Sequence, residues 1–216
     1  MKKISVKIDQ KELMVNFWET EIENPRGIFY IHHGMAEHID RYNYFAEQLN
    51  SKGYHVVGHN HLGHGNNKEN GEGVFARSDG WKKVCYEAKV VCDHFNNLFP
   101  GIPSYLFGHS MGSFVSISSL NNIKNLDGVF LTGTFLPNKG QLFFLKTLLL
   151  IEKVVFRINE NSKIHKINFQ RLNSVFKNTR TDFDWLANDT QVVDKYIEDP
   201  DCGFVCSNSL WLDFIY

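Results

Sequence analysis

Gly108-His109-Ser110-Met111-Gly112 is the stretch on which the reading of this chain turns. Just before it, Ser104-Tyr105-Leu106-Phe107, bounded by Pro103, reads as a short apolar strand. Just after it, Met111 to Leu120 reads as a helix, with Phe114, Ile117 and Leu120 spaced for one buried face. A serine between two glycines at such a junction requires a very tight turn. The flanking positions can carry almost no side chain, and the serine is thrust out at the carboxyl end of the strand. There a histidine can take its proton, and the next backbone N–H, at a helix start, can bind an oxyanion. Ser110 is the candidate nucleophile.

Outward from this point the chain alternates strands and helices. Ile4, Val6 and Ile8 alternate with polar residues as in a half-wet edge strand, Asp9-Gln10-Lys11 is a turn, and Leu13 to Trp18 is the return strand. Gly27 to Ile31 is a continuous apolar run, the pattern of a strand buried on both faces of a parallel sheet. It ends in His32-His33-Gly34-Met35-Ala36-Glu37-His38, and Tyr42, Phe45, Ala46 and Leu49 then fall at helical spacing, closed by Gly53. Tyr54 to Val57 is the next buried strand and runs into His59-Asn60-His61-Leu62-Gly63-His64-Gly65. Trp81, Val84, Cys85, Ala88, Val91, Cys92 and Phe95 mark the clearest amphipathic helix, and Asp127 to Leu131 a further buried strand. This alternation predicts an α/β fold, a mostly parallel sheet with helices on both faces. Ligands of such sheets bind at the carboxyl ends of the strands, where His33-Gly34-Met35, His59 to Gly65 and Ser110 all fall.

Beyond Thr134 no further buried strand is expected. In Leu142 to Ile158, Lys146, Lys153 and Arg157 project within about 40° of one another on a helix turning about 100° per residue. The rest of that surface is apolar, which fits core, a lid over a greasy cleft, or a surface-seeking segment. Asp182 to Asn188 and Val192 to Ile197 read as two short helices. The expected division is a core over residues 1–136, a helical cap over 137–205 and a return toward the core over 206–216.

Composition narrows the functional classes. A net charge of −1 over 216 residues recruits neither nucleic acid nor an anionic membrane by its field. Charges at Lys146, Glu152, Lys153 and Arg157 interrupt the most apolar segment, so no membrane span is expected. Cys85, Cys92, Cys202 and Cys206 show no disulfide framework, which fits reduced thiols in a cytoplasm. His59, His61 and His64 lack a carboxylate or cysteine to complete a metal site, so no metal is expected.

Three motifs in order resemble the α/β-hydrolase superfamily, and within it the monoacylglycerol lipase and lysophospholipase branch, grouped with the serine aminopeptidase-like hydrolases. They are His33-Gly34-Met35-Ala36-Glu37-His38 followed by Arg41-Tyr42, then Asn60-His61-Leu62-Gly63-His64-Gly65 with asparagine in an aspartate position, then the Ser110 segment. Trp185-Leu186 to Asp189, Val192-Val193-Asp194 and Asp199 to Phe204 resemble the end of that family's cap. The resemblance implies Ser110 as nucleophile and the backbone N–H groups of Met35 and Met111 as the oxyanion hole, with His33, Gly34 and His109 lining the substrate side. Glu37, His38, Arg41, Tyr42, His61 and His64 would brace loops. It implies hydrolysis of small acyl or lipid esters through an acyl-enzyme, without metal or organic cofactor.

The order serine, acid, histidine of such triads is not completed here, because His165, inside the expected cap, is the only histidine after Ser110. The triad acid and base and the last two strands of the fold are therefore expected to be missing. The expectation is a truncated hydrolase or a degenerate paralogue, with an apolar sheet edge beside Asp127 to Leu131 and poor stability alone. A non-catalytic remnant that binds a lipid or a partner, and an acyltransferase or peptidase on the same fold, are the competing readings.

Overall fold

The computed structural model describes residues 1–136, 138–157 and 159–215. The chain enters as a hairpin of β1 (Lys2–Ile8) and β2 (Lys11–Trp18), turning at Asp9 with φ 52°. Four further strands follow, β3 (Gly27–His32), β4 (Tyr54–His59), β5 (Ser104–His109) and β6 (Gly128–Thr132). They lie in the order β1-β2-β4-β3-β5-β6. The hairpin joins β4 antiparallel, while β4, β3, β5 and β6 run parallel. All of β3 is buried, as its unbroken apolar run requires of a central parallel strand.

Side-chain alternation along β3 distributes the helices. Ile28 and Tyr30 pack with Val91 and Phe95 of α2 (Gly80–Leu98). Phe29 and Ile31 face the other way, toward Ile39 in the turn before α1 (Asn43–Ser51) and Ala46 within it. Each fully buried aliphatic side chain contributes about 1.5–3 kcal/mol. A third cluster joins Val84 and Ala88 of α2 to Met111 and Val115 of α3 (Met111–Ser119). It extends to Leu149 of α4 (Lys139–Val154) and to Leu210 and Trp211 of α7 (Asn208–Phe214). Between α4 and α7 lie α5 (Lys163–Ser174) and α6 (Thr190–Glu198), and no strand follows β6 among the described residues.

Two expectations need correction. The buried face of α3 is not Phe114, Ile117 and Leu120, for Ile117 and Leu120 are 41% and 38% exposed. Met111, Gly112, Ser113, Val115, Ser116 and Ser119 are buried instead, and at Gly112 the helix lies so close to β3 that no side chain fits. β6 is not a buried strand: Phe130 is 49% exposed, since β6 has β5 on one side and no neighbour on the other among the described residues. The segment from Leu142 to Ile158, whose last residue lies outside the described ones, joins the core on one side only. α4 buries Leu149 and Glu152 and leaves Phe143, Phe144 and Val154 exposed. Pro137 and Tyr216, at the edges of the expected cap and return segments, also lie outside the described residues. No helix among the described residues is long and apolar enough to cross a membrane.

Candidate active site

Ser110 stands between β5 and α3 at φ 50° and ψ −119°, a backbone conformation that L-residues avoid. Holding a residue there costs on the order of 1–3 kcal/mol, and the surrounding contacts fix it. The Ser110 N–H donates to the Thr132 carbonyl (2.9 Å), and the Ser113 N–H and hydroxyl donate back to the Ser110 carbonyl (2.9 and 2.6 Å). The two glycines are required by space. A β-carbon on Gly108 would lie 2.5 Å from the Gly112 carbonyl oxygen, and one on Gly112 only 1.9 Å from the His32 carbonyl oxygen.

The loop after β3 comes to the same bend. A β-carbon on Gly34 would lie 3.4 Å from Ser110 Cβ and 3.4 Å from His109 Cδ2. Its shape is held by Glu37, whose Oε1 accepts from the Gly34 N–H (2.6 Å) and the Tyr42 hydroxyl (2.8 Å). Arg41 pairs with the other oxygen of Glu37 (3.1 Å). Ala36 has φ 56°, and its carbonyl accepts from the Gly203 N–H (2.9 Å) and the Tyr196 hydroxyl (2.8 Å). Met35 lies on this loop, and Met111, as the first residue of α3, has one of the amide N–H groups for which a helix provides no acceptor. His109 is turned to Thr132, its Nδ1 lying 2.9 Å from the Thr132 hydroxyl.

Beneath these loops His32, His33, His59, His61 and His64 are all buried. The His33 and His61 rings are 4.3 Å apart, and the His33 and His64 rings 5.3 Å. The His61 N–H donates to His33 Nε2 (3.0 Å), while His33 Nδ1–H donates to the Gly34 carbonyl (2.8 Å). The Ala36 N–H donates to His64 Nε2 (3.2 Å), and His64 Nδ1–H to the Leu62 carbonyl (2.9 Å). Both rings act as acceptors only while neutral. Burial keeps them so, holding His64 down to about 4 and His33 well below the usual imidazole range. Asn60 spans the same junction, accepting from the Ile39 N–H (2.8 Å) and donating to Asn66 (2.8 Å). The second of these uses the amide donor that an aspartate lacks.

His165, on α5, is committed to packing. It stacks on Phe169 at 4.2 Å, and its Nδ1 accepts from Trp211 Nε1 (3.2 Å). Among the described residues no hydrogen bond reaches Ser110 Oγ. Three residues around the site had no individual signal in the sequence: Thr132, Tyr196 and Gly203. Thr132 acts through its carbonyl and its hydroxyl, Tyr196 through its hydroxyl and Gly203 through its N–H, each across a long sequence separation. Among the described residues, the potential metal ligands that the fold gathers within 4.8 Å of one another are not the histidines of the second loop but His38, Asp199 and Cys202.

Comparison with known proteins agrees with this geometry. A family model described as serine aminopeptidase, S33, matches residues 23–216. The chain is 30% identical over 160 residues to a monoglyceride lipase homolog of Monkeypox virus, covering 74% of this chain and 55% of that protein. It is 26% identical over 219 residues to the monoglyceride lipase of Mus musculus, covering 97% and 62%. The chain thus spans less than two thirds of the length of these relatives. A thermostable carboxyl esterase from Bacillus coagulans superimposes with a TM-score of 0.80 at 20% identity, covering 99% of this chain and 71% of that one. A monoglyceride lipase from Saccharomyces cerevisiae superimposes with a TM-score of 0.70 at 17% identity, covering 98% and 66%. With an elbow serine on a mostly parallel sheet and the family model running from residue 23 to residue 216, the chain belongs to the serine aminopeptidase S33 family of α/β-hydrolases.

Proposed function

We propose that the chain acts on acyl esters of the monoacylglycerol or lysophospholipid type, with Ser110 as nucleophile. The observation that carries this reading is the Ser110 bend at φ 50°, ψ −119°, facing the Gly34 loop. Ser110 Oγ attacks the ester carbonyl, and the carbonyl oxygen takes the electron pair. The Met35 and Met111 N–H groups hold that oxyanion, each worth about 10²–10³ in rate. The pair returns, the alcohol leaves with a proton, and water then releases the acid from the acyl-enzyme. No metal or organic cofactor takes part. Gly34 and His109 border the acyl group, and His33 fixes the loop from below.

Residues 1–136 serve as the catalytic core and 137–205 as a cap whose exposed α4 residues Phe143 and Phe144 face a lipid acyl chain or a lipid surface. The four cysteines are unpaired, which supports a reducing compartment such as the cytoplasm. With no histidine bonded to Ser110 Oγ among the described residues, acylation by these 216 residues rests on the bend and the amide donors. Its expected rate is that residual, about 10³–10⁴ over water. A fluorophosphonate probe tests the reading. Slow labelling that disappears in Ser110→Ala supports it; labelling that survives the substitution, or none in a folded chain, overturns it. The missing contact favours one second reading, a non-catalytic lipid binder, which the probe reports as no labelling together with saturable binding of a monoacylglycerol.

A further inference from the structure

We propose that His38, Asp199 and Cys202 form a binding site for one divalent cation of the zinc type, separate from Ser110. Their ligand atoms lie within 4.8 Å of one another, with His38 Nε2 and Asp199 Oδ2 at 2.7 Å. Imidazole nitrogen, carboxylate oxygen and thiolate sulfur are the three donor types that zinc accepts. A tetrahedron built on bonds of about 2.0–2.3 Å has edges of roughly 3.3–3.8 Å. The trio therefore reaches coordinating geometry by side-chain rotations on the order of 1 Å, leaving the fourth position to water.

The charges also close. Among the described residues the cation against the cluster is Arg41, which is already matched by Glu37 (3.1 Å) and lies 4.6 Å over the Tyr196 ring. Its Nη1 reaches Cys202 Sγ at 3.8 Å, a contact that favours the thiolate. Lys68, nearby on the surface, is shared between Asp201 (2.7 Å) and Glu72 (3.0 Å). At the ligands themselves the Asp199 carboxylate and the Cys202 sulfur, as thiolate, supply two negative charges, which balance one divalent ion. On binding, the S–H bond breaks, the sulfur pair goes to the metal and the proton to water. Burial lifts the Cys202 thiol to about 11, so it is the metal that draws the proton off.

The position has a consequence for the fold. His38 lies on the loop after β3, while Asp199 and Cys202 follow α6, 161 residues later in the case of Asp199. The same two segments already meet at the Ala36 carbonyl through Gly203 and Tyr196. An ion there clamps the loop that carries Met35, and the site stands whether or not Ser110 is a nucleophile.

Titration of the reduced, untagged chain with zinc chloride alone, followed by calorimetry, tests the stoichiometry. Cobalt chloride tests the ligands, since a bound thiolate gives a sulfur-to-cobalt charge-transfer band. One equivalent should bind with the band present. Cys202→Ser should abolish the band, His38→Gln and Asp199→Asn should weaken zinc binding at least tenfold, and Cys85→Ser should change neither. Each variant is checked for its native circular dichroism and urea midpoint. Absence of binding at millimolar metal, or a band that persists in folded Cys202→Ser, overturns the proposal.

Discussion

Gly34 and Ser110 belong to loops 76 positions apart, yet a β-carbon on Gly34 would come within 3.4 Å of Ser110 Cβ. The same carbon would lie 2.7 Å from Glu37 Oε1, the atom that accepts the Gly34 N–H. Gly34→Ala should therefore push the carboxylate away and turn the Met35 amide from its direction. Phosphonate labelling of Ser110 is expected to slow by about 10²-fold, the effect of one lost oxyanion donor. The urea midpoint should fall by only the equivalent of about 1–2 kcal/mol. Labelling at the unsubstituted rate would detach Gly34 from the site.

The glycine pattern around the serine makes a sharper stability prediction. In Gly112→Ala the new carbon would meet the His32 carbonyl oxygen at 1.9 Å, and that oxygen belongs to the backbone of a central strand. Neither partner can move without parting α3 from β3, so a loss of about 3 kcal/mol or more is expected. Gly140, on the first turn of α4, meets only Asn138 Oδ1 at 3.4 Å. Gly140→Ala should be neutral or stabilising by about 0.5–1 kcal/mol. Equal urea midpoints for the two variants would contradict the packing described for α3.

The contrast between these two glycines shows what a sequence discloses. The unbroken run Gly27 to Ile31, and the glycines on either side of Ser110, state their environments locally, through apolar content and through space. On α3 hydrophobic spacing favours Phe114 and Ile117, whereas close approach to the sheet selects Gly112, Ser113 and Ser116. β6 has the composition of a buried strand, but burial depends on a neighbour that no residue of β6 encodes. Of the His38–Asp199 pair, only the resemblance of each segment to a family motif gave a hint. That the two meet follows from tertiary structure alone.

Glu152 is another such long-range junction. Its carboxylate accepts from the Ser162 hydroxyl (2.7 Å), the Lys163 N–H (2.5 Å) and the Asn208 amide (2.8 Å), joining α4, α5 and α7. Burial raises its pKa, but these donors outweigh burial and hold it below the usual carboxylate range. The stability it contributes is thus present above the ordinary glutamate pKa and is lost as pH falls through the lowered one. Glu152→Ala leaves three donors without an acceptor and should cost about 3 kcal/mol. Limited proteolysis should then cut α5 ahead of the sheet, and Glu152→Gln should recover part of the loss. Unchanged protection of α5 would show that α4 and α7 hold it without the carboxylate.

The buried histidines set the most severe limit on the fold. Burial lowers His32 to about 4, His59 to about 3 and His64 to about 4, against about 6.5 in the unfolded chain. His33 and His61 move in the same direction for the same reason, each reinforced by neighbouring rings. Because the folded values are depressed, the unfolded state binds more protons below pH 6.5. Stability falls with pH from there until the folded values are passed. At pH 5.0 each of the three valued histidines has lost about 2 kcal/mol relative to pH 7.5, or roughly 6 kcal/mol together. That is as large as the whole stability of a marginal domain, about 5–15 kcal/mol. Burial lifts the carboxyls of Glu87 and Asp213, which works in the opposite direction but involves one proton each. Cooperative acid unfolding between pH 6 and 5, far above ordinary carboxylate titration, is therefore expected. Urea midpoints at pH 7.5, 6.5 and 5.5 measure it. The loss should include the His33 and His64 acceptors that hold His61 N and Ala36 N, so phosphonate labelling of Ser110 should decline in the same interval. A midpoint that stays constant down to pH 5.5 would mean that water, rather than neutral imidazole, fills the space beneath the loops.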